Sequence, residues 1–297
     1  MWTCSKTAAA LIVAVLVTVP ASAGSAGGLC GAPVAHTSEH RYVVRARVRP
    51  LLFWTSRREV GEAWFESREA AESGKRMQLL IGTDPERAPM KINRWGYVAE
   101  TLCGDVAELV GLMTESNEQT VEQAQASTAG GARATSQVFK AIRGRSQSGT
   151  TETEILTVAP KGTVTYRDLE SVLAQLPEAR MPKESAVPPG TDSGFLVAVT
   201  GLIHDSAGSY RTTGQGRGGL RRAYVYAGRL YDLTLRSSTA RSGTLESEFQ
   251  IRNRVTGSTT DFRIAYAASG PDAEVPVRIV YLPRWWLELE LQLAPAS

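Results

Sequence analysis

Apolar and polar residues alternate at both ends of the chain. Between residues 41 and 53, Val44, Ala46 and Val48 alternate with arginines. Between residues 285 and 293, leucines alternate with glutamate and glutamine. A period of two over this length predicts half-buried strands with one solvent-exposed face. Because such strands occur at both ends, we expect them to join one sheet.

The chain between these ends also reads largely as strands. Aromatic and aliphatic runs separated by glycine, proline, serine and threonine predict an antiparallel arrangement with short turns. The predicted strands cover residues 60–68, 77–81, 223–236, 244–254, 259–266 and 277–282, and residues 255–258 are predicted as a hairpin turn. We therefore predict a mainly β fold with a few helices (α+β), built as a large curved antiparallel sheet or an open barrel.

Three segments between the predicted strands differ in pattern. Residues 165–176 predict a helix, with Thr165 as its cap, Asp168 three residues later and Pro177 after its end. Residues 106–113 place apolar side chains at helical spacing, which predicts a second helix. The apolar run 194–203 predicts a core strand, and the proline-rich residues 178–193 predict a linker or long surface connection.

The first residues have the order of a secretory signal peptide. Lys6 precedes an apolar run of residues 8–19, and Pro20 is followed by the small residues 21–23. The run is shorter than the roughly 20 residues that span a bilayer. We expect residues 1–23 to be cleaved and residues 24–297 to form a single β-rich domain, with a polar helical or loop insertion around residues 100–190. The expected location is periplasmic or extracellular, and the mature protein is not expected to be integral to a membrane.

Charge and cysteine content narrow the function further. The chain has 33 basic and 30 acidic residues, and such a balance argues against a nucleic-acid partner. Cys30 and Cys103 remain after the predicted cleavage. Exported compartments favour oxidation, so a disulfide is one interpretation, and a buried thiol with a separate mobile thiol is the other.

Short motifs that resemble catalytic sites lack the required context. Residues 36–40 match the H-x-x-E-H pattern of zinc proteases, but they lead into a strand instead of lying on a helix. Residues 214–219 match G-x-G-x-x-G, but a predicted strand follows where a dinucleotide-binding fold requires a helix. We therefore predict no metal, no cofactor and no catalytic residue. A hydrolase that uses His204 is kept as an alternative, and it requires a carboxylate and a nucleophile near the imidazole.

Two aromatic clusters are candidate ligand-binding residues. Arg94, Trp95 and Tyr97 combine stacking surfaces with a cation, and Trp285 and Trp286 are adjacent on a predicted strand. Adjacent strand residues face opposite sides, so at least one of the two tryptophans is expected to be exposed or to face a cavity. The alternative for Trp95 and Tyr97 is a packed core that closes the end of a barrel.

The C-terminal quarter resembles exported bacterial β-sheet proteins of unknown function. The resemblance lies in residues 262–266 and 276–279 and in the leucine alternation of residues 287–293. It implies a lipocalin-like open barrel and no activity. A barrel with this number of strands has room for a small ligand. The expected function is therefore non-enzymatic, either binding of an apolar or amphipathic molecule or a role in envelope assembly. A purely structural interaction module is the remaining alternative.

Overall fold

The computed structural model describes residues 30–48, 55–70, 74–88, 91–114, 137–160, 162–178, 182–284 and 287–295. The predicted signal peptide lies outside the described residues, as do Trp285 and Trp286. No helix in the described ranges is long and apolar enough to cross a membrane.

In the described ranges, fifteen strands form one continuous sheet. The strands are β1 (Val34–Val48), β2 (Thr55–Ala70), β3 (Gly74–Thr83), β4 (Trp95–Cys103), β5 (Val106–Thr114), β6 (Phe139–Gln147), β7 (Thr150–Val158), β8 (Lys183–Ala186), β9 (Thr191–Asp192), β10 (Leu220–Tyr226), β11 (Arg229–Arg241), β12 (Thr244–Asn253), β13 (Thr259–Ala267), β14 (Pro276–Arg284) and β15 (Leu287–Leu293). The predicted fold class, mainly β with a large antiparallel sheet, is confirmed.

Strands from the two ends of the described chain meet in the middle of this sheet. Its order is β8-β7-β6-β5-β4-β3-β2-β1-β15-β14-β13-β12-β11-β10-β9. Neighbours are antiparallel, except that β9 runs parallel to β10. Val44 lies opposite Leu291 and Ala46 opposite Leu289, so the alternating patterns of β1 and β15 bury a shared face. The predicted joining of the two ends is confirmed.

The sheet curls until its two edges approach each other, but it does not close. Strands β8 and β9 are consecutive in the chain yet form opposite edges. The five residue steps from Ala186 to Thr191 span at most about 17 Å. A Cβ built on Gly111 of β5 would lie 2.9 Å from the Tyr226 hydroxyl of β10. The β10 edge therefore packs against the concave face of β5, on the other side of the curl.

A short helix covers part of the convex face. A 3-10 turn (Tyr166–Asp168) continues into α1 (Leu169–Ala174). The predicted cap is present, because the Thr165 hydroxyl accepts a hydrogen bond from the Arg167 amide and the Asp168 carboxylate accepts one from the Thr165 amide. The helix packs on the β3–β7 strands. Its buried residue Val172 lies in one core with Leu112 and Phe139 of the sheet.

A second helix, α2 (Phe195–Thr213), packs on the concave face. The prediction of a core strand over residues 194–203 is therefore wrong. The buried residues of α2, which include Leu196, Val199 and Ile203, follow helical spacing. The helix ends at Gly214, whose φ of 72° provides the left-handed cap.

The predicted helix over residues 106–113 is also wrong, because these residues form β5. Both faces of this strand are covered: Leu112 packs under α1 on one face, while Gly111 meets Tyr226 on the other. A strand covered on both faces has consecutive apolar residues, which imitate helical spacing. The insertion predicted around residues 100–190 holds β5–β8 and α1, and residues 115–136 lie outside the described part of the chain.

Candidate functional site

A cavity of about 650 Å³ lies between α2 and the concave face of the sheet. Strands β1–β3 and β10–β15 contribute its walls. Most of the side chains that line it are aliphatic or aromatic; they include Leu79, Ile81, Ile251, Phe262, Ile264 and Leu289. Ligand pockets in proteins typically have volumes of about 300–1,000 Å³ and apolar walls. The cavity has the size and lining of a site for a small apolar molecule.

Glu100 of β4 holds the N-terminus of α2 over this cavity. Its carboxylate oxygens accept hydrogen bonds from the amides of Leu196 and Val197, each at 2.9 Å, and the side chain is only 2% exposed. A Cβ on Gly194 would lie 2.2 Å from the Glu100 carboxyl carbon, so this close approach requires glycine. A carboxylate favours a helix N-terminus because the free amides there carry partial positive charge.

The environment of Glu100 changes its protonation. Burial raises its pKa to about 7, and the amide hydrogen bonds from the helix oppose this rise. Asp192, close to the same helix end, adds a smaller increase to the pKa of Glu100. The packing of the α2 N-terminus against Glu100 is consequently coupled to proton binding by this carboxylate near neutral pH.

Aromatic rings close the α2 end of the cavity. Phe195 lies 5.8 Å from the Tyr224 ring and 6.0 Å from the Phe262 ring, measured between centroids. Tyr224 stacks on Tyr231 at 5.2 Å. Burial raises the pKa of Tyr226 to about 12. Burial also raises the pKa of Tyr224, so Tyr224 and Tyr226 stay neutral at physiological pH.

Several polar lining residues lie toward one end of β1, β2 and β3 and in the loop before β14. We call this set the polar mouth; it consists of Ser38, His40, Ser67, Lys75 and Glu274. Ser38 lies directly opposite Ser67. Lys75 is near the start of β3, and Glu274 precedes the start of β14. The cavity therefore has an apolar interior and one polar entrance.

His204, the residue of the hydrolase alternative, lies on α2 with its side chain 67% exposed. Its Nδ1 is 3.0 Å from Glu274 Oε2, and Arg211 donates two hydrogen bonds to Glu274 Oε1, each at 3.0 Å. Among the described residues, no hydroxyl or thiol is hydrogen-bonded to His204. This cluster ties α2 to the loop before β14 and brings a carboxylate, but no nucleophile, to the imidazole.

Three of the predicted ligand residues, Arg94, Trp95 and Tyr97, are not among the residues that line the cavity. Trp95 is 3% exposed and its ring is 4.7 Å from Phe139, in the core under α1. Tyr97 lies in the same core and donates a hydrogen bond to Gln78 at 3.1 Å. Burial lowers the pKa of Arg94, which precedes this pair. Their role in ligand binding stays a prediction, as does that of Trp285 and Trp286 outside the described residues.

The glycine- and histidine-containing motifs do not lie in the helical context that their catalytic or cofactor chemistry requires. The H-x-x-E-H residues 36–40 lie on β1 instead of on a helix. In the glycine-rich stretch, a Cβ on Gly216 or Gly218 would approach the carbonyl oxygens of Ser238 or Arg236 to 2.5 Å. These glycines therefore allow two backbone segments to pack closely, and α2 ends at this stretch instead of beginning there.

A disulfide joins Cys30 to Cys103 at the end of β4, with a Cα–Cα distance of 5.5 Å. The two cysteines are 73 positions apart in the chain. The bond fixes the segment before β1 to the β4–β5 hairpin. A loop of this length is expected to stabilise the fold by about 4 kcal/mol in the chain-entropy model.

The comparisons with known proteins give a likeness of fold only. No protein-family model matches this chain, and no curated protein matches it. Among solved structures, the chain is similar to a β-barrel-like protein of the domain of unknown function DUF1849 from Brucella abortus. The two chains are 10% identical, the match covers 86% of this chain and 95% of that one, and the TM-score is 0.43. That neighbour is a bacterial protein of unknown function, and the likeness adds no activity.

Proposed function

We propose that this chain is an exported protein that binds an apolar or amphipathic molecule in the cavity between α2 and the curled sheet. The observation that carries the proposal is the cavity itself, whose apolar walls enclose about 650 Å³. An engineered cavity of about 150 Å³ binds benzene. By proportion, this cavity has room for about 26 carbon atoms.

The arrangement of the sheet supports this proposal over a filled structural module. Side chains from nine strands and a helix face the cavity without filling it, although protein interiors are normally close-packed. Export agrees with the order of residues 1–23 and with the Cys30–Cys103 disulfide, because oxidising compartments preserve such bonds.

The experiment is native mass spectrometry, with lipid extraction, of the mature protein purified from its own exported compartment. We expect a bound apolar molecule of defined mass. Replacement of Ile251 by Trp places a bulkier ring in the cavity and should reduce the fraction of protein that carries the adduct. The matched control is Arg252→Trp, which adds the same side chain to the exposed face of the same strand and should leave the adduct in place.

A clean apo mass of the wild-type protein would contradict binding in this cavity. An adduct that persists unchanged in Ile251→Trp would place the molecule elsewhere on the protein. The free energy of unfolding of both variants is measured alongside, so that a folding defect is not read as a loss of binding.

A further inference from the structure

The uneven distribution of polar groups around the cavity indicates which kind of molecule it takes. We propose that the occupant is a single-chain amphiphile with an acidic head group, whose head lies at the polar mouth and whose chain lies along the apolar interior. This inference rests on the proposed function and adds the substrate class to it.

The polar mouth offers hydrogen-bond donors that have no assigned task in the fold. Ser38, His40 and Ser67 line the cavity, and the side chain of each has no hydrogen bond to another described residue. Side-chain hydroxyls and an imidazole N–H donate readily to a carboxylate or phosphate oxygen. Three donors on two neighbouring strands can therefore contact one anionic group together.

Lys75 supplies the charge that makes an acidic head the best match. It pairs with Glu69 at 3.1 Å, and the two side chains are 40% and 49% exposed. Exposed ion pairs of this kind contribute little to stability, so Lys75 can exchange Glu69 for a ligand carboxylate at low cost. Lys75 lines the cavity, which places its ammonium group within reach of a bound head.

The negative charge of the mouth is already compensated. Glu274 accepts hydrogen bonds from Arg211 and lies beside His204. A cationic head group would have to compete with Arg211 for this carboxylate, whereas an acidic head group meets free donors and Lys75. The electrostatics of the mouth therefore favour an acid over an amine.

The volume of the cavity favours one chain. Room for about 26 carbon atoms accommodates one alkyl chain of about 16 to 18 carbons with its head group. Two chains of that length on one molecule exceed that number. Thr200, which also lines the cavity, donates its hydroxyl to the Leu196 carbonyl at 2.7 Å, so this group does not require a partner on the ligand.

The test compares three probes that share one alkyl chain: dodecanoate, dodecan-1-ol and dodecyltrimethylammonium. Binding to the delipidated mature protein is measured by equilibrium dialysis below the concentrations at which micelles form, with bound and free probe quantified by mass spectrometry. We expect dodecanoate to bind about tenfold more tightly than the alcohol, the size of one charge-assisted hydrogen bond. The cationic probe should bind most weakly.

Variants of Lys75 assign this preference to the mouth. Lys75→Met should lower dodecanoate affinity about tenfold and leave dodecan-1-ol affinity unchanged, while Lys75→Arg should retain the preference. Lys183→Met, which removes an exposed charge on the edge strand β8, is the control and should change neither affinity.

Equal binding of all three probes, with no effect of Lys75→Met, would overturn the assignment of an acidic head group while leaving binding in the cavity intact. Tightest binding of the cationic probe would overturn it in the same way. If the protein binds none of the three and also shows a clean apo mass on purification, the proposed function fails together with this inference.

Discussion

The two faces of the sheet are covered by helices with different results. On the convex face, α1 leaves a closely packed core, in which a Cβ on Gly82 would already lie 2.2 Å from the Tyr166 ring. On the concave face, the longer helix α2 leaves about 650 Å³ unfilled. Length of the covering helix therefore does not determine packing. The convex face is packed as a core, and the unfilled space on the concave face is what the proposed ligand binding requires.

A leucine-to-alanine substitution on each face should give the largest difference in the free energy of unfolding. Leu112 is 1% exposed in the core under α1, whereas Leu79 lines the cavity. Leu112→Ala should lower the free energy of unfolding by about 3 to 5 kcal/mol, since it creates a new cavity. Leu79→Ala enlarges an existing cavity and should cost less than about 2 kcal/mol. Denaturant unfolding measures both, and equal losses would contradict the contrast.

Glu100, which contacts α2 on the concave side, should make the free energy of unfolding depend on pH. Its folded pKa of about 7 lies above its ordinary value of 4.5, so the folded state binds the proton more tightly than the unfolded chain does. The free energy of unfolding should therefore fall by about 3 kcal/mol through this group as pH rises from about 4.5 to 7.

Glu100→Gln removes this titration and should flatten that part of the pH profile. The measurement is denaturant unfolding of wild type and variant at several pH values, and the difference between the two curves isolates Glu100 from the other carboxylates. Parallel curves for the two proteins would show that Glu100 titrates equally in both states.

The convex helix depends on its cap. Thr165→Ala removes the hydroxyl that accepts a hydrogen bond from the Arg167 amide and should lower the free energy of unfolding by about 1 kcal/mol. Because α1 lies on the convex face, ligand affinity should not change. A loss of binding in this variant would show that the two faces are coupled.

The smallest expected effect has the opposite sign. Tyr42 lines the cavity and is 2% exposed, and its hydroxyl has no hydrogen-bond partner in the described part of the chain. Tyr42→Phe removes this buried, unpaired hydroxyl and should raise the free energy of unfolding of the ligand-free protein by up to about 1 kcal/mol. A thermal or denaturant melt checks it, and a destabilised variant would indicate that the hydroxyl has a partner.

The sequence predicted the elements whose two faces differ. Strands β1, β13 and β15 alternate because one face is buried and the other meets solvent, and α1 carries its cap at Thr165 and its apolar stripe. The sequence patterns predicted the wrong type of element for β5 and α2. Burial on both sides gives these segments a continuous apolar run instead of a periodic pattern. The turn at Ala227 and Gly228, with φ values of 52° and 66°, also escaped notice within the single strand predicted over residues 223–236.

The candidate site was less accessible to sequence reasoning than the fold. Leu79, Ile251 and Phe262 are far apart in the chain, and each reads as an ordinary inward strand residue. Only the curl of the sheet brings them around one cavity. Trp95 and Tyr97 were predicted as ligand-binding candidates because aromatic residues are common in both cores and binding sites. Composition alone does not separate those two roles.

The short crossing between β8 and β9 has a consequence for chain connectivity. Apart from this crossing and the pairing of β1 with β15, each strand lies beside its sequence neighbour. Opening the chain at residues 187–190 and linking the end of β15 to the start of β1 would produce a circular permutant running β9 to β15 and then β1 to β8. From β10 onward that permutant is an antiparallel meander of low contact order, and α2 remains as the connection between the parallel strands β9 and β10. The present chain is therefore a cyclic reordering of a fold in which most strands pair with their neighbours in sequence.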